Sequence, residues 1–391
     1  MTSNSKTIPG AVLPDFTYID TDSAADDLIV LINDSQWAGI DIEGSSLHSF
    51  SDNVSLVQLS LESGIYIVDP LSGIDMAAVL SAISGTELIL HGGDYDLRML
   101  LADYGFRPKK AVFDTMLGAE LLGIESIGLA AVVELFFGEK MCKAGQKSNW
   151  TQRPLTPSQL KYASTDVVYL KELKDRMSGQ LDELGRLSWW SESNARLVER
   201  SGQSKDAPTK EPWRIKGSRD LSPSELRYLR AIWQWRNDIA KNQNRPVFKI
   251  CGNDVILKLS LWIDANPGKN PKKFNSLPKS CRGKSYELLC EYIKNARKLE
   301  KSEWPSHVIR RQSFWVEPDK ELIDKIREYV RSIAEDLGIK PQLLLTRAKM
   351  EAVARSMPRS ESQIAVIADL MAWQKNIIAP AILDILVEHS V

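Results

Sequence analysis

The sequence predicts a mixed α/β domain followed by two small helical domains. Residues 28–70 alternate apolar and polar side chains and are rich in β-branched residues, a pattern typical of strands. Helical periodicity takes over from about residue 94, and the polar linker SGQSKDAPTKEP precedes two further helical blocks. A chain of 391 residues is also too long for one ordinary domain.

Four strands are predicted in the first domain. WAGIDIEG and VSLVQLSLESGIYIVDP alternate in the manner of strands, and ESG at 62–64 is typical of a hairpin turn. ELILHGG at 87–93 predicts a fourth short strand that ends at two glycines. The strands therefore come early and lie next to one another in the chain.

Helices follow these strands. Segments with helical spacing, each followed by or ending at a glycine, occupy 94–105, 113–123 and 129–138. Thr156, Pro157 and Gln159 form the sequence signature of a capping box, which predicts a helix beginning near residue 157.

The helical part of the chain divides into two blocks. Ser222 and Glu225 repeat the capping-box pattern at the start of the first block. The second block is broken at GIKP (338–341) and at SMPRS (356–360). We place the three domains at residues 1–200, 213–302 and 314–391, and each helical block has a size usual for a small domain.

Charge is distributed unevenly along the chain. Residues 1–202 contain 16 Lys and Arg against 28 Asp and Glu, a net charge of −12, whereas residues 203–315 contain 24 against 11, a net charge of +13. Such asymmetry suggests that the middle segment binds a polyanion. The alternative is a solvated helical surface that is rich in lysine.

Composition argues for a cytoplasmic protein. The four cysteines show neither a C-x-x-C pair nor zinc-ligand spacing, which fits a reducing compartment better than a disulfide scaffold. The first residues lack an apolar signal segment, and the longest apolar runs are too short to span a membrane.

Two carboxylates stand out in the apolar segment GIDIEG. Asp41 and Glu43 are two residues apart, so in a strand they project from the same face. Carboxylates placed in this way repel each other unless a cation lies between them or one of them is protonated. Either the two residues face solvent from an edge strand, or they bind something strongly positive.

Further candidates follow along the chain. Asp96 lies in the first turn of a predicted helix, where the helix dipole favours an anion. Tyr162 and Asp166 are four apart and share one helical face, and a carboxylate in mid-helix needs a partner. Carboxylates without histidine or cysteine suit two Mg²⁺ or Mn²⁺ ions, the arrangement of two-metal phosphoryl transfer.

These motifs resemble those of the ribonuclease D family, in the tyrosine-containing branch of the DEDD superfamily of 3′–5′ exonucleases. The resemblance is carried by three segments: DIE at 41–43, HGGDYDL at 91–97 and YASTD at 162–166. It implies a ribonuclease H-like α/β exonuclease domain with a mixed sheet flanked by helices. It also implies that Asp41, Glu43, Asp96 and Asp166 bind the metals and that Tyr162 acts on the attacking water.

Substrate contacts are predicted around this site. Gly44 and Ser45 follow the first motif, where the terminal nucleotide should lie, and this part of the sequence departs from the usual family pattern. His48 either touches the terminal ribose or hydrogen-bonds to backbone. Lys143 and Arg153 either meet phosphates or are ordinary surface charges.

Other residues near these motifs have structural interpretations. We expect His91 to make a structural hydrogen bond rather than to act in catalysis. We expect Trp189 and Trp190 to pack between domains rather than to stack on bases.

The helical blocks resemble the helicase-and-ribonuclease-D C-terminal (HRDC) module, present here in two copies. The resemblance implies an exoribonuclease that acts on RNA with a free 3′ end, tRNA precursors in particular. We expect a monomer that uses no organic cofactor. Two alternatives stay open. One is a 3′–5′ exonuclease on DNA, and the other is a nucleic-acid-binding adaptor without catalysis.

Overall fold

The chain forms two compact units. The computed structural model describes residues 15–141, 145–203, 211–306 and 319–389. Within these ranges, one unit combines residues 15–43, 54–203 and 319–389, and the other combines residues 44–53 and 211–306. The C-terminal helices thus share a unit with the α/β segment, and the basic helical segment forms a unit with the loop that follows residue 43.

The first unit is built on a six-stranded mixed sheet. Its strands are β1 (Phe16–Ile19), β2 (Trp37–Gly44), β3 (Val54–Leu61), β4 (Gly64–Val68), β5 (Glu87–Leu90) and β6 (Val112–Asp114). Across the sheet the order is β1-β4-β3-β2-β5-β6. Strands β3 and β4 are antiparallel, whereas β1–β4, β2–β5 and β5–β6 are parallel pairs. The mixed sheet is confirmed, and β2 lies inside it with a neighbour on each side.

Helices of the α/β segment flank the sheet. They are α1 (Asp22–Asp34), α2 (Met76–Ile83), α3 (Asp94–Tyr104), α4 (Thr115–Leu121), α5 (Leu129–Phe137), α6 (Pro157–Val168), α7 (Leu170–Glu183) and α8 (Leu187–Gly202). The predicted capping box of α6 is present, because the Thr156 hydroxyl accepts from the Gln159 N–H and the Gln159 side chain accepts from the Thr156 N–H. This cap fixes where α6 begins. It therefore also fixes the positions, along the helix axis, of the side chains in the second and third turns.

The prediction of strand from residue 28 is wrong at its N-terminal end. Residues 28–34 belong to α1, which buries Ala25, Leu28 and Ile32 on one face. Their spacing of three and four is that of an amphipathic helix. The run LIVLI is apolar enough to suit a strand equally well, which explains the error.

The helix predicted from residue 113 begins two residues later. Phe113 and Asp114 end strand β6, and the Asp114 side chain caps α4 by accepting hydrogen bonds from the N–H groups of Met116 and Leu117. An aspartate at this position satisfies N–H groups that the first turn of a helix leaves unpaired.

C-terminal helices complete the first unit. They are numbered in chain order after the helices of the second unit: α13 (Lys320–Leu337), α14 (Pro341–Leu344), α15 (Arg347–Ser356), α16 (Glu361–Ile367) and α17 (Ala372–His389). The breaks predicted at 338–341 and 356–360 are confirmed.

Two tryptophans join these helices to the α/β segment. Trp190, only 1% exposed, lies in one apolar cluster with the C-terminal helices, and its indole N–H donates to the Asp114 carbonyl at 2.9 Å. The Trp189 ring stacks on Trp373 with ring centroids 4.8 Å apart. Nearby, Asp369 pairs with Arg196 and Arg200. The expected packing role of the tryptophan pair is confirmed.

The second unit is a small helical bundle. Its helices are α9 (Pro223–Asn242), α10 (Val247–Ile250), α11 (Asn253–Ala265) and α12 (Lys284–Lys298). Trp235 is fully buried in its core and donates its indole N–H to the Ser285 carbonyl at 2.8 Å. Phe50, from the loop at 44–53, packs against this core, and its N–H donates to the Asn244 side chain at 3.2 Å.

Within the ranges given above, none of the helices is both long and apolar enough to cross a membrane.

Removal of the Trp190 side chain should strongly destabilise the first unit. Trp190→Ala leaves a large cavity and removes the hydrogen bond to Asp114, so we expect a loss of about 3–5 kcal/mol in the free energy of unfolding. Urea denaturation followed by circular dichroism measures this loss. Trp189→Ala, at a half-buried position, is the control and should cost clearly less; equal losses for the two variants would contradict the packing described here.

Candidate active site

Asp41 and Glu43 project from one face of β2, as predicted. Ile40 and Ile42 alternate with them on the other face, where they are 0% and 5% exposed. Successive side chains of a strand point to opposite faces, so the apolar pair anchors the strand and the carboxylate pair is left to a separate role. Because β2 is flanked by β3 and β5, the carboxylates stand on an interior strand and not on an edge strand.

Helix α6 brings Asp166 and Tyr162 to the carboxylate pair. One oxygen from each of Asp41, Glu43 and Asp166 lies within 4.8 Å of the other two. Tyr162 precedes Asp166 by one helical turn, and its hydroxyl lies close enough to the Asp166 carboxylate to interact with it. Residues more than a hundred positions apart thus meet at one point.

Asp96 completes the set from the first turn of α3. Its side chain is buried, with 6% exposure, and lies close enough to Asp41 and Glu43 for their charges to interact. Gly93, the residue before α3, allows this approach because a Cβ there would lie 2.9 Å from a methyl carbon of Leu90. All five residues predicted for the metal and catalytic site are therefore gathered in one place.

Burial raises the pKa of every carboxyl group in this cluster. The pKa of Asp41 rises to about 7, that of Asp166 to about 8 and that of Glu43 to about 9, and the pKa of Asp96 is raised well above its usual range. Burial is the largest cause for each, and for Glu43, Asp96 and Asp166 the charge of a neighbouring carboxylate adds to it. Four ionised groups at this spacing require positive charge to balance them.

Asp114 holds the second motif in shape and is the residue that the sequence did not reveal. It is 1% exposed, and its two carboxylate oxygens accept hydrogen bonds from the N–H groups of Gly92 (2.8 Å), Gly93 (2.9 Å) and Met116 (2.8 Å). Gly92 has φ +73, a conformation that suits glycine. The signal available in the sequence was an aspartate directly before a helical segment, the usual mark of an N-cap.

A cleft of about 320 Å³ opens onto the cluster. Asp41, Tyr162 and Asp166 line its polar side, and Met116 and Leu129 belong to its apolar wall. A volume of this size is within the range of small-ligand pockets. The carboxylates are therefore reachable by a small ligand that enters the cleft.

Gly145 fixes the position of the Tyr162 ring. A Cβ at Gly145 would lie 2.3 Å from Cγ and 2.5 Å from Cβ of Tyr162, which is far inside contact distance. The backbone of residue 145 thus packs directly on the ring. Any larger residue at this position would displace the tyrosine.

Arg153 is not available to bind phosphate, so that expectation is wrong. Its Nε and Nη2 donate to the two oxygens of Asp69 at 2.5 and 2.6 Å, and Nη2 also donates to the Ser55 carbonyl at 2.7 Å. Its Nη1 donates to the carbonyls of Trp150 and Gln152. All five N–H groups of the guanidinium are used in holding the fold.

Gly44 ends β2, Ser45 and His48 follow in the loop, and residues 44–53 belong to the helical unit. The Ser45 hydroxyl closes this loop, because it donates to the Ser51 carbonyl at 2.8 Å and accepts from the Asn53 N–H at 2.9 Å. The Ser45 side chain therefore has a structural role. Contacts of Gly44 and His48 with a substrate stay predictions, and Lys143 lies outside the described residues.

Comparison with known proteins identifies the kind of domain in which this cluster lies. Residues 16–182, which include all five clustered residues, match the family model described as a 3′-5′ exonuclease. Over 360 residues the chain is 28% identical to ribonuclease D of Pseudomonas paraeruginosa, covering 90% of this chain and 92% of that protein. The chain thus carries a 3′–5′ exonuclease domain and is a hydrolase.

Solved structures share the fold. A protein from Bifidobacterium adolescentis has a TM-score of 0.79 at 22% identity, covering 96% of this chain and 100% of that chain. RNase D of Escherichia coli, described as an exoribonuclease involved in structured RNA processing, has a TM-score of 0.70 at 21% identity, covering 96% and 99%. These likenesses extend over almost the whole chain, including its helical C-terminal part.

The raised carboxyl pKa values predict an unusual pH dependence of stability. A carboxyl group whose pKa is higher in the folded protein stabilises the fold below its unfolded pKa of about 4, and this stabilisation is lost as the pH rises through the folded values of 7 to 9. When a chelator removes divalent cations, the melting temperature should therefore decrease as the pH is raised from 5 to 9.

Divalent cations should reverse this loss. Cation binding needs ionised carboxylates, so MnCl₂ should raise the melting temperature more at pH 9 than at pH 5. Differential scanning fluorimetry measures both effects, and Asp166→Asn should weaken the response to Mn²⁺. An equal Mn²⁺-induced shift at both pH values would show that the cluster is not the binding site.

Proposed function

We propose that the protein is a 3′–5′ exoribonuclease of the ribonuclease D type. It removes nucleotides one at a time from RNA 3′ ends and releases nucleoside 5′-monophosphates. The main support for this proposal is that carboxylate oxygens of Asp41, Glu43 and Asp166 lie within 4.8 Å of one another. Tyr162 lies beside them, and Asp41, Tyr162 and Asp166 line a cleft. The name and the near full-length similarity of the curated relative support it.

The cluster fits two divalent cations, Mg²⁺ or Mn²⁺. Its three closest members are all carboxylates, joined by Asp96, and hard cations prefer such oxygen ligands. Burial and mutual repulsion make the ionised state of these groups unfavourable unless cations are present. When bound, a pair of divalent cations activates a water and stabilises the leaving oxygen in phosphodiester hydrolysis.

Tyr162 positions the attacking water and does not deprotonate it. Burial raises the pKa of the Tyr162 hydroxyl, and the charges of Asp166, Glu43 and Asp41 raise it further. The hydroxyl therefore keeps its proton at neutral pH. The hydroxyl lies beside Asp166, and its oxygen lone pairs can accept a hydrogen bond from a water in the cleft.

The helical unit supplies the positive charge that the exonuclease domain lacks. Residues 269–284 carry six cationic side chains, and all six are exposed: Lys269, Lys272, Lys273, Lys279, Arg282 and Lys284. Contacts of such residues with phosphates position a nucleic acid without reading its sequence. We propose that this unit is an HRDC-like module that holds the RNA backbone, and that the C-terminal helices form a second one.

We propose that the enzyme matures tRNA 3′ ends, as the resemblance implies, and that it acts as a monomer in the cytoplasm. Salt should weaken RNA binding steeply, since phosphate contacts release counterions.

Asp166→Asn should reduce hydrolysis of a 3′-tailed RNA by about a hundredfold or more, because a metal-binding charge worth several kcal/mol in the transition state is lost. Initial rates with Mg²⁺ and with Mn²⁺ measure the effect. Asp94→Asn is the matched control, since Asp94 is paired with Arg98 on the outer side of α3 and should retain activity. Undiminished hydrolysis by Asp166→Asn would refute the metal assignment.

Two variants separate the Tyr162 hydroxyl from the position of its ring. Tyr162→Phe should lower kcat by about tenfold to a hundredfold with little change in the affinity for RNA, since one positioning hydrogen bond is lost. Gly145→Ala keeps the hydroxyl but displaces the ring, and should lower kcat as well.

Gly179→Ala is the control, because a Cβ at Gly179 meets nothing within 4 Å. Full activity of both Tyr162→Phe and Gly145→Ala would show that Tyr162 has only a structural role.

A further inference from the structure

Gln58 lies in the middle of strand β3 and is completely buried. Both polar atoms of its side-chain amide, Nε2 and Oε1, are closed to solvent and lack a hydrogen-bond partner among the described residues. Buried polar groups are nearly always paired, and an unpaired one is unfavourable for the fold. The presence of a glutamine at this position therefore calls for a physical reason.

The face of β3 that carries Gln58 is the face covered by helix α6. Side chains two apart in a strand share a face, so Gln58 points the same way as Leu56 and Ser60. Leu56 packs in one apolar cluster with Ala163 of α6. The Ser60 hydroxyl donates to the Val167 carbonyl of the same helix at 3.0 Å. The amide therefore lies between the sheet and α6.

Two contacts fix the register of β3 against its neighbour β2. A Cβ at Gly39, near the start of β2, would lie 2.2 Å from Oγ of Ser60, near the end of β3. Just beyond the other ends of the two strands, the Ser45 N–H donates to the Asn53 carbonyl at 3.0 Å. The strands are therefore antiparallel, with the start of one beside the end of the other.

This register places Gln58 beside Asp41. Asp41 follows Gly39 by two residues in β2 and so shares its face, and Gln58 precedes Ser60 by two residues in β3 and shares that face likewise. In antiparallel strands these two steps lead to neighbouring positions. Opposite residues have Cβ atoms about 4.5–5.5 Å apart, so the amide is within reach of the Asp41 carboxylate.

The carboxylate is the strongest acceptor beside the amide. On the other side of Gln58, its register partner on β4 is Ile67, which has no polar side-chain atom. A carboxylate has about four lone-pair sites, and hydrogen bonds to an ionised group are stronger than those to a neutral one. Asp41 can therefore accept from the amide and still bind a cation.

Cation binding gives a reason for an amide at this position. A bound divalent cation needs an ionised carboxylate, and a group that hydrogen-bonds to a metal ligand orients it and strengthens metal binding. An amide donates such a hydrogen bond without adding charge to a site that already holds four carboxylates.

We propose that Gln58 is a positioning residue of the cation site, whose amide N–H donates to the Asp41 carboxylate when cations are bound and is unpaired when they are absent. This inference rests on the cation binding proposed above and adds a residue that lies outside the three sequence motifs. The same amide lowers the stability of the cation-free protein and raises its affinity for cations.

The test replaces the amide by an apolar group of similar size in the full-length protein. Gln58→Met removes the unpaired amide, so the melting temperature in a chelator should rise by about 2–4 °C. The variant also loses the hydrogen bond to a metal ligand, so its affinity for Mn²⁺, measured by isothermal titration calorimetry, should fall by about tenfold. A residue with a purely structural role would not change these two quantities in opposite senses.

Hydrolysis of RNA gives a third readout. The Mn²⁺ concentration that gives the half-maximal rate should rise in Gln58→Met by a factor similar to the loss of affinity. The KM for RNA at saturating Mn²⁺ should stay near that of the natural protein, because Gln58 is buried and does not touch RNA.

Gln374→Met is the matched control. Gln374 is also buried, but its amide is paired: Nε2 donates to the Leu343 carbonyl at 2.6 Å, and Oε1 accepts from the Met371 N–H at 2.8 Å. Its replacement should lower the melting temperature and leave the affinity for Mn²⁺ unchanged.

The inference is overturned if Gln58→Met and Gln58→Leu both lower the melting temperature in the chelator, or if both bind Mn²⁺ as tightly as the natural protein. The leucine variant shows whether a fall is caused only by a poor fit of methionine. Failure of the proposed function looks different, because the natural protein would then hydrolyse no RNA while the variants still differed from it in Mn²⁺ affinity. Absence of Mn²⁺ binding by the natural protein would overturn both.

Discussion

Burial of four carboxylates close to one another is the constraint on which the rest of this structure depends. Burial makes ionisation of each group less favourable, and the charges of neighbouring carboxylates make it less favourable still. Both effects raise the pKa of Glu43 to about 9. A fold keeps such a cluster only if rigid elements hold it and if protons or cations neutralise its charge. The scaffold around the cluster and the cation binding proposed for it both meet this electrostatic requirement.

The surrounding fold holds the cluster in place through residues that take no part in the proposed catalysis. Asp114 ties the turn before α3 to the start of α4, and the Thr156 cap sets the register of α6. Gly145 packs on the Tyr162 ring, and Trp190 fixes the Asp114 backbone from the side of the C-terminal helices. Because of these supports, side chains from β2, α3 and α6 meet with little freedom to separate.

Much of this could be predicted from sequence, and the failures have physical reasons. Asp41 and Glu43 on one strand face and the capping boxes are patterns of a few neighbouring residues. They could therefore be predicted from short segments of the sequence. The hydrogen bonds of Asp114 with Gly92 and Gly93 and the pairing of Arg153 with Asp69 join segments that are far apart in the chain, which no local pattern reveals. The strand predicted at 28–34 failed because a short apolar run suits a helix and a strand alike.

We propose that the carboxylate cluster catalyses the removal of single nucleotides from RNA 3′ ends. To test this, the protein and Mn²⁺ are incubated with matched RNA and DNA oligomers labelled at the 5′ end, and the small products are identified. We expect a ladder of 5′-labelled RNA shortened from the 3′ end, release of nucleoside 5′-monophosphates, and slower cleavage of DNA. Internal fragments, 3′-monophosphates, or Mn²⁺ binding without hydrolysis of either strand would contradict it.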